Sequence, residues 1–165
     1  MDFPASLIAL VQEQVARSGR LGATGITRIP DLAAAVPVAV AGVPGEAAAP
    51  PLTFLEAGYA IALYGQERTG TTAKFASTEV RLQINGTRDV ITSGELGGAF
   101  FPMLGLFGPN VNWFPLTIRV EKRDVWQVTY RNFDAAAVAN PVVGMSFISD
   151  LRMAQMAHQL SAAGR

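Results

Sequence analysis

The side chains able to do chemistry are few and widely spaced. His158 is the single histidine, and cysteine is absent. That argues against the usual nucleophile–histidine–acid triad, against two-histidine zinc sites and against the multi-histidine site of cupins. Disulfides and thiolate ligands are excluded outright. A solvent-facing position in a tail helix accounts for His158. No Gly-x-Ser-x-Gly elbow, phosphate-binding loop with Lys or dinucleotide fingerprint occurs. What remains are the carboxylates Glu56, Glu79, Asp89, Glu95, Asp124 and Asp134. Two of them held about 5–9 Å apart would suffice for glycoside hydrolysis. Glu79, however, falls on the polar side of a strand pattern, and Asp89 and Asp124 fall in or near turns, where carboxylates are solvated. The expectation is a protein that is not an enzyme, with no catalytic residue, no metal and no cofactor.

Arg119, Lys122, Arg123 and Arg131 gather in one segment with Trp126 and Tyr130. A basic strand interleaved with aromatics can hold single-stranded nucleic acid through phosphate contacts and stacking. Yet Trp126 and Tyr130 share a strand face with Val128, which reads as core, and Glu121 and Asp124 dilute the charge. Lys+Arg 13 balance Asp+Glu 13, so the chain is not basic overall. Intersubunit salt bridges from Arg119, Arg123 and Arg131 are the better use of these cations.

The strongest signal is apolar. GGAFFPMLGLFGPNVNWFPL (97–116) carries no charge, is too broken for a helix and is too apolar for an ordinary surface loop. Only 16% of the whole chain is charged and 50% is hydrophobic. Few charges and zero net charge leave little to keep copies apart. Phe100, Phe101, Leu104, Leu106, Phe107, Trp113 and Phe114 cannot all reach one small core, and a patch of that size calls for a partner, burial under the chain's own arm being the competing explanation. Exposed coplanar aromatics, Trp113 first among them, could instead stack on sugar; the aliphatic neighbours Met103, Leu104 and Leu106 favour packing on protein.

The elements that position these residues follow from periodicity. Residues 4–17 place Leu7, Leu10, Val11 and Val15 at helical spacing, with Pro4 suited to a first helical position. From Gly22 to Pro51 the composition turns to Ala, Val, Pro and Gly, and recurring prolines predict an extended, semi-rigid arm. LAAAVPVAVAGVPG (32–45) is too short and too proline-broken to span a bilayer as a helix. TFLEAGYAIALYG (53–65) alternates as a strand. EVRLQINGTRDVIT (79–92) predicts a hairpin, with Val80, Leu82 and Ile84 on one face and Asn85-Gly86 at the turn. PLTIRVEKRDVWQVTYRN (115–132) reads as a second hairpin of the same design, turning at Lys122-Arg123-Asp124. PVVGMSFIS (141–149) is one more strand. SDLRMAQMAHQL (149–160) has near-helical spacing, with Ser149 or Asp150 as cap.

In order, FLEAGYAIALYG, VRLQING, FPLTIRVEKRDVWQVTYRN and PVVGMSFISDLR resemble the strands of single jelly-roll virion proteins of bacteriophages. The resemblance covers residues 52–152 and rests on pattern, without a catalytic motif; the helix at 4–17 is a departure from it. It implies a mainly β protein: an antiparallel, jelly-roll-like β-sandwich at 52–150. An N-terminal amphipathic helix and extended arm precede it at 1–51, and a short helical tail follows at 151–165. It also implies a non-enzymatic coat, decoration or connector protein of the virion that associates with copies of itself and with other virion proteins. The expected subunit interface is Leu7, Leu10, Val11, Phe100, Phe101, Leu104, Leu106, Phe107, Trp113 and Phe114. A carbohydrate-binding module for host-surface glycan is the alternative.

Overall fold

Period-2 alternation turns into strands wherever one face can be buried. The computed structural model describes residues 5–18, 27–67, 76–90, 100–107 and 113–163, and the chain in it is mainly β, arranged as two antiparallel sheets with a few short helices. The strands are β1 (Thr27–Ala33), β2 (Gly45–Ala48), β3 (Leu52–Thr53), β4 (Gly58–Glu67), β5 (Thr78–Ile84), β6 (Arg88–Asp89), β7 (Phe101–Pro102), β8 (Trp113–Val120), β9 (Val125–Asn132) and β10 (Pro141–Ser149). The helices are α1 (Ala5–Ser18), α2 (Met103–Phe107) and α3 (Asp150–Ala163).

The first sheet has the order β1-β10-β4-β8, and the second β2-β9-β5-β6, with β3 also on β9 and β7 also on β5. Taken from both ends of the chain inward, β1 pairs with β10, β2 and β3 with β9, β4 with β8, and β5 with β6 and β7. The chain is thus one long antiparallel ribbon, closed by the further pairs β10–β4 and β5–β9. Both sheets feed one core, with Leu63, Val143 and Met145 from the first and Val80, Leu82, Trp126, Val128 and Tyr130 from the second. The Tyr130 hydroxyl donates to the Leu32 carbonyl across that core and ties β9 to β1.

β5 buries Val80, Leu82 and Ile84 on its inner face, and the turn after it follows the expected chemistry. Asn85 and Gly86 both have positive φ, 55° and 70°, the geometry of a two-residue turn whose twist matches its flanking strands. β10 is buried on both faces from Pro141 to Ile148. One face meets the shared core; on the other, Ile148 joins Tyr59, Ile61 and Met153 under Leu7 and Ile8 of α1. That double covering explains why PVVGMSFIS reads as a nearly unbroken apolar run.

Three expectations are corrected. The 115–132 segment is not a hairpin: β8 joins the first sheet and β9 the second, so the chain turns a corner at Glu121–Asp124. The corner is pinned to other loops. Arg123 N–H donates to the Phe54 carbonyl at 2.8 Å, and the Asp124 carboxylate accepts from Asn85 Nδ2 at 2.9 Å and Glu121 N–H at 2.8 Å. Residues 27–51 are not an arm lying on a neighbour, because β1 and β2 are strands of this chain's own sheets and bring the β region back to Thr27. The 97–116 segment, read as too broken for a helix, holds the short helix α2 between β7 and the start of β8. Residues 150–163 form α3, with the Ser149 hydroxyl accepting from Arg152 N–H at 3.4 Å.

Candidate interaction surface

Three of the candidate carboxylates are engaged by neighbouring groups. The Asp134 carboxylate accepts from Ala136 N–H and Ala137 N–H, Asp124 secures the corner, and Asp89 pairs with Arg81 at 2.9 Å. Glu56 is exposed and Glu79 half-buried, while Glu95 lies outside the described residues. His158 is exposed on α3. Among the described residues no three His, Cys, Asp or Glu side chains converge as a metal site.

Two of the expected intersubunit cations are satisfied within the chain. Arg119 forms a two-pronged pair with Asp150, at 2.5 and 2.8 Å, and a third bond to Glu121 at 2.9 Å. Its guanidinium also sits 5.1 Å from the Tyr59 ring centre. The hydrogen bonds to Asp150 raise Arg119 above its ordinary range, and those same bonds from Arg119 hold Asp150 below the usual carboxylate range against the opposing effect of burial. This pair fastens the start of α3 to β8. Arg131 pairs with Glu46 at 3.0 Å and stacks 3.7 Å from the Phe100 ring centre, with Arg81 at 5.8 Å from the same ring. Arg119 and Arg131, both expected to reach a neighbour, thus have partners within the chain, Arg119 at the start of α3 and Arg131 on β2. Arg123 is exposed at the corner, with φ of 76°.

The expected apolar interface divides. Phe107 is corrected to core: it is 1% exposed and stacked so closely on Gly65 of β4 that a Cβ there would overlap its ring. Leu7 is buried on the outer face of the first sheet with Ile8. Leu106 and Phe114 pack half-buried against the shared core, Phe100 lies half-buried under the two arginines, and Phe101 is half-buried in β7. Leu10 is half-buried on α1. Among the described large apolar side chains of the stretch, Leu104 is the exposed one, at 38%. Trp113 stands opposite Tyr64 in the β4–β8 register. The side chains of Val11 and Trp113 lie outside the described part.

Among the described residues, four of the seven large exposed apolar side chains lie on two loops that the sequence reading did not single out. The loops joining β1 to β2 and β9 to β10 meet at one end of the two sheets. Ala39 N–H donates to the Asp134 carbonyl at 2.9 Å, and Val36 and Ala139 exchange backbone bonds. Fully buried Asn132 donates through Nδ2 to the carbonyls of Pro37 and Ala137, at 3.1 and 2.9 Å, and accepts from Asp134 N–H through Oδ1. At the tip, Val40 and Val43 exchange both backbone bonds around Ala41 and Gly42, whose φ values are 51° and 81°. Val40 and Val43 are 68% and 66% exposed there, with Phe133 at 50% and Val138 at 46% on the adjoining loop. Only the local signature of a charge-free Ala/Val/Pro run carrying Ala-Gly could have hinted at this from the sequence.

Set beside known proteins, the chain matches no family model, no curated protein and no solved structure.

Proposed function

We propose that the two sheets form a jelly-roll sandwich, and that the protein is a non-enzymatic structural component of a virion which works by associating with copies of itself and with other virion proteins. The observation that carries this reading is the strand order, a single antiparallel ribbon folded so that its first strand lies beside its last. Double-sheet rolls of this kind serve viral shells, lectins and cupins. A single histidine disfavours the cupin chemistry. A lectin platform needs open aromatic faces, whereas Phe100 is capped by Arg131 and Phe114 leans on the core. Low charge and zero net charge support the remaining role.

The test is the state of the purified chain, alone and mixed with the other proteins of its particle. Sedimentation and negative-stain imaging should reveal symmetric oligomers or shells. A compact monomer under every such condition defeats the reading. Glycan binding that is abolished by Trp113→Ala, with the oligomer unchanged, would replace it by the carbohydrate-binding one.

A further inference from the structure

We infer that the loop end bearing Val40, Val43, Phe133 and Val138 is the surface through which copies of this chain meet, each presenting the same end to the other. The inference rests on the self-association proposed above and names its surface.

Three observations select that end and that occupant. First, the loops are pre-organised, since the Asn132 amide, the Val36–Ala139 bridge and the two-residue turn hold them before any partner arrives. Apolar side chains on a fixed support lose little further freedom on binding, which favours a specific contact. Second, the two described loops at this end are uncharged. Residues 32–45 and 135–140 contain no charged side chain; of the charges bordering them, Asp134 accepts from loop N–H groups and Glu46 pairs with Arg131. The opposite end of the sheets carries Glu56, Glu121, Lys122, Arg123 and Asp124. Head-to-tail stacking would set apolar groups against solvated charge; like end on like end sets apolar against apolar. That is the self-complementary type of contact. A basic or acidic partner gains nothing from a neutral patch.

Third, the size suits one contact among several. Phe133 and the three valines expose roughly 400 Å² of apolar surface, within the range of functional patches on single chains. A stable two-body interface takes about 800 Å² from each partner. Alone, then, this end gives a weak, concentration-dependent association that an assembly reinforces through its other contacts.

The experiment uses the full chain and three variants: Val40→Glu/Val43→Glu, Val40→Lys/Val43→Lys and, as control at the opposite end, Leu55→Glu, a site 80% exposed. All four proteins should share one melting profile by circular dichroism, because the changed side chains are mostly in water. In sedimentation velocity at low salt, each doubly charged variant should need at least about tenfold more protein to associate than the parent. Leu55→Glu should associate as the parent does. An equimolar mixture of the Glu and Lys variants should recover association, and added salt should weaken that recovery. If the Glu and Lys variants associate as the parent does, or Leu55→Glu alone blocks association, this surface is wrong while self-association stands. Failure of the mixture to recover overturns the like-on-like geometry. A parent that never associates removes the underlying reading itself.

Discussion

Phe107 separates the two accounts of where the apolar stretch is buried, and its removal gives opposite signatures. If the ring belongs to an interface, Phe107→Ala weakens association and leaves folding stability nearly intact. The structure assigns the ring to the core, at 1% exposure and packed on Gly65. Truncating a buried Phe costs about 3–5 kcal/mol in lost transfer energy and residual cavity. For a chain of this size that lowers the melting temperature by roughly 6–20 °C. Gly65 supplies an internal control. A Cβ there collides with the Phe107 ring, so Gly65→Ala costs about 1–3 kcal/mol as overpacking. In the Phe107→Ala background the collision partner is gone, and the same methyl enters vacated volume. The second substitution then costs nothing or restores a few tenths of a kcal/mol, leaving a coupling of about 1–3 kcal/mol between the sites. Urea unfolding followed by tryptophan fluorescence, at concentrations where one species is present, measures all four corners of this cycle. A Phe107→Ala loss below about 1 kcal/mol, or a Gly65→Ala cost equal in both backgrounds, refutes the packing argument.

Tyr130→Phe should lose about 1–2 kcal/mol in urea unfolding, because the buried Leu32 carbonyl forfeits the hydroxyl that joins the two sheets. Gly42→Ala should cost about 1 kcal/mol through backbone strain alone, since φ is 81° and no atom lies near enough to clash; thermal melts at fixed concentration measure it. Asp150→Asn should destabilise by about 1–2 kcal/mol at neutral pH, a figure held down by the pair's partial exposure. Because the folded carboxylate titrates below its unfolded value of about 3.9, the contribution is present above that pH and lost as pH falls through the folded value. Stability curves of parent and variant should therefore converge in acid, and a gap that persists there contradicts the ion-pair assignment.

In β5 and β9, local alternation determined both the strand and the face that is buried. Val80, Leu82 and Ile84 on β5 and Trp126, Val128 and Tyr130 on β9 are core as their spacing predicts, and Asn85-Gly86 turns as its chemistry demands. These are properties of neighbouring residues, set by side-chain period and by which residues tolerate positive φ. Partner choice was decided only by the tertiary structure. A charged turn after β8 is compatible with a hairpin or with a corner, and the distant anchors Phe54 and Asn85 make it a corner. The Pro/Ala-rich segment has no period of its own, so its strands form only because β10 and β9 offer open edges. The exposed apolar loop end was illegible for the same reason. Phe107 is hidden because Gly65 leaves room for it, and Val40 and Val43 are displayed because loops nearly a hundred residues apart are clasped by Asn132. Alternation is written along the chain, but exposure depends on what folds over it.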